Sequence, residues 1–180
     1  MEKILRFTKT RDVKSPVRGT SRSAGIDFFI PTFNDKFIKD LLEKNPYGNP
    51  QPGCSQYIIL PSLKKIFLAP HARINIPSGI HIDGNEFTAY NMHNKSGIAS
   101  NFGLDKAAEV IDEDYQGEIH ISLCNTSPFI VEITEGQKIT QLLEVNVTYS
   151  KLEEVPSLKE LYPTESERGD RGFGNGTGKE

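Results

Sequence analysis

The chain holds only two cysteines, Cys54 and Cys124, in 180 residues. They are far apart and could pair, but two cysteines in this length make no disulfide framework. The count predicts an intracellular, reducing compartment, cytoplasmic or nuclear. Long apolar runs are missing too. Nothing approaches the roughly 18 residues of a membrane-spanning helix, and the N-terminus lacks a signal-peptide pattern. Charge of one sign is not in excess: 21 Lys and Arg stand against 24 Asp and Glu, a formal net charge of −3. A balance of that kind exerts no general pull on nucleic acid or membrane, so neither partner is expected. The histidines, His71, His81, His93 and His120, form no i,i+4 pair on a helix and have no cysteines at zinc spacing. No structural zinc is predicted.

What is present is β-like. At 180 residues the chain is long enough for one domain with a real core. Short runs of apolar, β-branched and aromatic residues recur between turn residues: ILRF (4–7), GIDFFI (25–30), YIIL (57–60), KKIFL (64–68), EIHISLCN (118–125), FIVEI (129–133) and KITQLLEVNV (138–147). RINIPSGIHI (73–82) alternates on either side of Pro77-Ser78-Gly79. Many short strands at such spacing predict a sandwich or barrel. One segment, FNDKFIKDLLEKN (33–45), has Phe37, Ile38, Leu41 and Leu42 at helical spacing and Asn34 as a candidate N-cap. With the turn-rich stretch that follows, residues 32–62 read as an insertion in the β framework. From Ser150 onward apolar residues thin out and charges crowd, which predicts a C-terminal arm.

The last thirteen residues, RGDRGFGNGTGKE, contain five glycines. A phosphate loop of the G-x-x-x-x-G-K-[ST] kind fails on spacing, because Phe173 stands where glycine is needed and Glu180 where serine or threonine is needed. Two readings stay open: a flexible tail, or a lid whose glycines let the backbone approach a ligand while Phe173 lies on a flat ring.

Three polar stretches interrupt the β pattern. AEVIDEDYQGEIHI (108–121) crowds Asp112, Glu113 and Asp114 at a predicted hairpin tip, which an ordinary polar turn would also do. HNKSGIAS (93–100) offers a cation in Lys95, a hydroxyl in Ser96 and a bare backbone N–H at Gly97, a set suited to phosphate or to a plain Ser-Gly turn. EGQKITQLL (135–143) carries a lone amide, Gln141, in an apolar strand.

Taken in order, the chain resembles the trimeric dUTPase family, whose five motifs run from near the N-terminus to the tail. AGIDFFIP (24–31) is similar to A-G-x-D-L-x-x-P, NKSGIAS (94–100) to P-R-S-G-L-A, and EVIDEDYQGE (109–118) to G-V-I-D-x-D-Y-x-G. EGQKITQLL is similar to G-x-R-I-A-Q-L, and RGDRGFGNGTG (168–178) to R-G-x-G-G-F-G-S-T-G.

The resemblance implies an all-β, dUTPase-like distorted jelly-roll β-barrel over residues 1–149 with a short helical insertion, followed by a flexible C-terminal arm, 150–180. The arm would close over a neighbouring subunit's site in a homotrimer with shared active sites. The implied reaction is hydrolysis of dUTP to dUMP and pyrophosphate, keeping uracil out of DNA and supplying dUMP for thymidylate synthesis. Asp112 would act on the attacking water. Lys95, Ser96, Gly97, Gln141 and Arg168 would surround the phosphates. Tyr115 would pack on the deoxyribose, and the uracil would be read along 106–120, through Lys106, Glu109, Val110, Ile111 and His120. Phe173, beside Gly174, would cap the base. Mg2+ would ride on the triphosphate, with Asp27 a candidate support through water.

Among the departures from the family pattern, Lys95 replaces arginine, and Glu109 and Arg171 replace glycines. The tail is one residue longer. Two alternatives remain on the same fold, a dCTP deaminase and a non-catalytic nucleotide-binding regulator. The deaminase pattern lacks its arginine, since Ser100 stands four residues after Ser96, and Ser122 falls where its glutamate is expected.

Overall fold

The computed structural model describes residues 3–46 and 57–171. The chain divides into two units, 1–148 and 149–180. In the first unit the strands are β1 (Arg6–Lys9), β2 (Val17–Arg18), β3 (Ile26–Phe29), β4 (Tyr57–Leu60), β5 (Lys65–Leu68), β6 (Arg73–Pro77) and β7 (Ile80–Asp83). They continue with β8 (Thr88–Asn94), β9 (Leu104–Lys106), β10 (Val110–Ile111), β11 (His120–Asn125), β12 (Val131–Thr134) and β13 (Lys138–Asn146). Helices α1 (Asp35–Lys44) and α2 (Ser96–Phe102) also belong to it.

The all-β expectation holds. Among the described residues the strands pair antiparallel in four sheets: β1-β7, β10-β8-β13-β3-β2, β6-β11-β9 and β12-β5-β4. Alternation drives the burial. Along β6, Ile74 and Ile76 point inward while Arg73 and Asn75 face out, and β11 repeats this with Ile121 and Leu123. Phe28, Ile66, Leu68, Tyr90, Ile133, Ile139 and Leu142 fill the same core. Each such side chain contributes about 1.5–3 kcal/mol by leaving water. Two buried polar groups of the core are paired: the Tyr90 hydroxyl accepts from the Asn85 N–H at 2.8 Å, and the Asn125 amide donates to the Leu68 and Phe129 carbonyls.

The predicted break at Pro77-Ser78-Gly79 separates β6 from β7. Gly79 takes φ +77°, and a Cβ there would stand 2.8 Å from Arg11 Cβ, so only glycine fits.

Within 32–62, α1 forms as its sequence predicts. Asn34 Oδ1 accepts from the Phe37 N–H at 2.9 Å. Asp35 in the first turn and Lys44 in the last complement the helix dipole. Phe37 and Leu41 are fully buried, whereas Leu42 stays 45% exposed, so the apolar face is narrower than the expected four-residue stripe. Asn45 ends the helix and reaches β6: its Oδ1 accepts the Asn75 N–H at 2.8 Å and its Nδ2 donates to the Asn75 carbonyl at 2.8 Å. Tyr57–Leu60, also in this stretch, joins the framework by pairing with β5. Cys54 lies outside the described residues; Cys124 is a free thiol on β11.

Two elements depart from the expected pattern. Thr88–Asn94 forms a strand, β8, between β10 and the central strand β13 of the five-stranded sheet. The Ser-Gly stretch is not a simple turn but opens α2, which Gly103 terminates at φ +67°.

In the second unit, α3 (Leu158–Leu161) is a single turn whose N-cap Ser157 accepts from the Glu160 N–H at 3.2 Å. Leu152 is 94% exposed. No helix among the described residues is long and apolar enough to cross a membrane.

Candidate functional site

The sheet β8-β13-β3 brings three of the sequence stretches to one place. On β13, Gln141 sits opposite Asp27 of β3 and His93 of β8. Its Nε2 donates to the Asn94 carbonyl at 2.8 Å. A Cβ on Gly25 would run into the Gln141 carboxamide, so the glycine of AGIDFF is needed where the first and fourth stretches touch.

Asp27 is the electrostatic centre of this group. Only 5% exposed, it receives Lys95 Nζ on Oδ1 at 2.5 Å and Lys138 Nζ on Oδ2 at 2.8 Å. Burial pushes its pKa up, but the hydrogen bonds from Lys138 and Lys95 outweigh that and hold the carboxyl below its ordinary range. Lys95 precedes α2, whose first residues Ser96 and Gly97 are exposed. The two lysines, the Ser96 hydroxyl and the adjacent backbone N–H form a donor-rich surface suited to anionic oxygen.

Asn94 links this group to the next. Its Oδ1 accepts the Lys106 N–H at 2.9 Å and its Nδ2 donates to Asp105 at 2.6 Å. Beyond Lys106, which pairs with Glu109, residues 107–119 form the long loop of a hairpin between β9 and β11. Within it, β10 pairs with β8, Ile111 opposite Tyr90, and the Glu109 carbonyl accepts the Met92 N–H at 2.8 Å. The tip closes where the Tyr115 N–H donates to the Asp112 carbonyl at 3.2 Å.

This loop walls a cavity of about 190 Å³ lined by 108–112, Met92, Tyr115, Ile119 and His120. Asp112 and Tyr115 are exposed at its edge. The Glu118 carbonyl takes two donors, the Tyr115 hydroxyl at 3.1 Å and the His120 ring at Nδ1, 2.9 Å. A carbonyl only accepts, so Nδ1 carries the proton and Nε2 keeps its lone pair. Nε2 is buried without a protein partner. Burial pushes the His120 pKa down, against the pull of Glu118, and favours the neutral ring.

Asp112 and Lys95 do not meet. Asp112 follows Ile111 at one end of β8, and Lys95 follows Asn94 at the other. They are separated by about 17–20 Å of strand, more than the two side chains span. Arg168 belongs to the second unit, where its Nε donates to the Arg171 carbonyl at 3.0 Å. Phe173 and Gly174 lie outside the described residues.

Lys138, Asn94 and Glu118 join the site without having been singled out in the sequence. Lys138 alone had a signal, since it stands at the arginine position of G-x-R-I-A-Q-L.

An antiparallel β framework with a basic cluster at one end and an apolar cavity edged by a carboxylate has close parallels. The family model for dUTPase matches residues 60–177, and the chain belongs to that family. Mouse deoxyuridine 5'-triphosphate nucleotidohydrolase is 30% identical over 176 residues, spanning 97% of this chain and 85% of the mouse protein. The fold is shared with a Staphylococcus bacteriophage 80alpha dUTPase mutant solved with dUpNHpp, at a TM-score of 0.69 and 17% identity, over 97% of this chain and 98% of that one. The dUTPase of S. aureus phage phi11, in a mutant described for coordination of a structural Mg(II) ion, gives a TM-score of 0.62 at 17% identity, over 87% of this chain and 99% of that one.

Proposed function

We propose that this protein hydrolyses dUTP to dUMP and pyrophosphate, which keeps uracil out of DNA and supplies dUMP for thymidylate synthesis. The observation that carries the reading is the position of Asp112 and Tyr115 on one cavity, inside the 60–177 segment that matches the dUTPase family.

The uracil enters the cavity and meets backbone groups of 109–111 and the His120 wall, with Lys106 at the start of the same loop. Tyr115 packs on the deoxyribose and leaves no room for a 2′-hydroxyl. Asp112 orients the water that attacks the α-phosphorus and takes its proton. A carboxylate is a modest base at neutral pH, so placing the water supplies much of the rate. Lys95, Ser96, Gly97, Gln141 and Arg168 receive the charge that grows on the leaving pyrophosphate. Phe173, with Gly174 giving the backbone room, closes over the base.

The separation of Asp112 from Lys95 within one chain supports a homotrimer in which each site takes Asp112 from one copy, the lysines from a second and the arm from a third. Magnesium fits the triphosphate rather than a protein cage, since among the described residues no three His, Cys, Asp or Glu side chains converge. Mg2+ carried by the triphosphate supplies charge neutralisation. Asp27 contributes through water once Lys95 and Lys138 turn to the phosphates.

Pyrophosphate release measured on dUTP, dCTP, dTTP and UTP, with Asp112→Asn beside the unaltered chain, tests the reading. Turnover confined to dUTP and lost in Asp112→Asn is expected. Ammonia release from dCTP, or tight binding with no product, would replace it with a deaminase or a regulator.

A further inference from the structure

We infer that Arg11, and through it Asp40 on helix α1, are positioning residues of the nucleoside pocket, acting through Glu118. The inference rests on the cavity bounded by Tyr115 and His120 being that pocket.

Glu118 faces two ways. Its backbone carbonyl is the shared acceptor for Tyr115 and His120, at 3.1 and 2.9 Å, so where that carbonyl sits decides where both cavity-lining rings sit. Its side chain is clamped from the opposite direction. Arg11 Nε donates to Oε1 at 2.6 Å and Nη2 to Oε2 at 2.9 Å, a two-point fork that fixes the carboxylate in plane. The Gly79 N–H adds a third bond to Oε1 at 2.6 Å.

Arg11 is itself held. Its side chain is only 7% exposed, and Nη1 stands 2.6 Å from Asp40 Oδ2, a charge contact out of line for a hydrogen bond. Asp40 also pairs with Lys36 one turn earlier on α1, at 2.8 Å. Two cations and two carboxylates thus form a closed set between α1, the β6–β7 break and the root of the 107–119 loop. Removing Arg11 or Glu118 leaves the other's charge short of a counter-ion in a poorly solvated place. Because Tyr115 and His120 hang from one carbonyl, disturbance of this set moves the two rings together. Helix α1 therefore serves the pocket without touching it.

Steady-state kinetics on dUTP and UTP, dUMP affinity, thermal unfolding and solution size are measured for Arg11→Met, Asp40→Asn, Asp40→Glu and Glu118→Gln. The inference expects Arg11→Met and Glu118→Gln to raise KM for dUTP about tenfold with kcat within about twofold, the pattern of lost uniform binding. Both should narrow the preference for dUTP over UTP, since Tyr115 faces the sugar. Asp40→Asn, at the partly exposed end, moves both quantities in the same direction by about threefold, and Asp40→Glu restores them. Folded variants of unaltered size with lower thermal stability but unchanged KM, dUMP affinity and dUTP:UTP ratio would reduce the network to a fold support and overturn the inference. If Arg11→Met does not fold, Asp40→Asn decides alone. Inactivity of the unaltered chain would count against the proposed reaction instead, and dUMP affinity across the variants would still decide the positioning role.

Discussion

Lys95 Nζ lies 2.5 Å from Asp27 Oδ1, and Lys138 takes the other oxygen of the same carboxylate. In the proposed reaction the cation offered to the phosphates is therefore held in place before any phosphate arrives, and substrate oxygens compete with a buried carboxylate for it.

Replacing that carboxylate separates its two roles. Asp27→Asn leaves two ammonium groups without their counter-ion and should lower stability by about 1–3 kcal/mol. Chemical denaturation read by circular dichroism measures it. Unchanged stability would mean that the pairing contributes nothing net to the fold.

Asp112 carries the chemistry proposed for the site. Asp112→Asn keeps the side chain's size but removes the base, and kcat on dUTP should fall by about 10²–10⁴-fold, with dUMP affinity nearly unchanged. Binding of dUMP measured by calorimetry separates lost chemistry from a lost pocket.

The proposed sharing of sites between copies gives a complementation result. Asp112→Asn and Lys95→Ala assemblies, each inactive, should regain activity when unfolded together and refolded. Random assembly leaves about one site in four with both groups intact. No recovery from mixed assemblies that have the size of three chains would place both groups in one copy's site.

His120 sets an acid dependence. Its folded pKa lies below the ordinary histidine value, mainly through burial. As pH falls past about 6.5 the unfolded chain takes up the proton first, so stability drops from there until the folded form also titrates. Glu118 and Asp27, with depressed pKa values, stabilise the fold above the ordinary carboxylate range and lose that effect only at lower pH. Unfolding scans at about pH 7 and about pH 5.5 should therefore show a smaller fall for His120→Gln than for the unaltered chain.

Leu41 anchors α1 with no exposed surface. Leu41→Ala removes three carbons from a packed interior and should cost about 2–5 kcal/mol, far more than Leu42→Ala on the outward face. Urea titrations of the two variants measure the difference.

Much of this molecule was readable along the chain. Alternation located β6 and β7, short apolar runs located β11 and β13, and Asn34 with Phe37, Ile38, Leu41 and Leu42 at helical spacing located α1. Thr88–Asn94 escaped because its inward residues, Thr88, Tyr90 and Met92, include a hydroxyl, and because Asn91, His93 and Asn94 give it the polarity of a loop. Helix α2 was hidden by Ser96, Gly97 and Asn101, which are weak helix formers; Gly103 in its left-handed conformation was the available sign. In the site, the ordered motifs pointed to Asp112, Tyr115, Gln141 and Lys95 as candidates. The Arg11–Glu118 fork could not be read, because pairing across 107 positions is a property of the folded chain rather than of any local pattern.

Asn45 is the last consequence. It offers Asn75 both an acceptor and a donor, as a neighbouring strand would, and β6 is the outermost strand of its sheet. An unpaired outer strand is a template on which other chains can stack. One side-chain amide at the end of α1 occupies that template at Asn75, so the helix leaves another chain one backbone pair fewer to dock on.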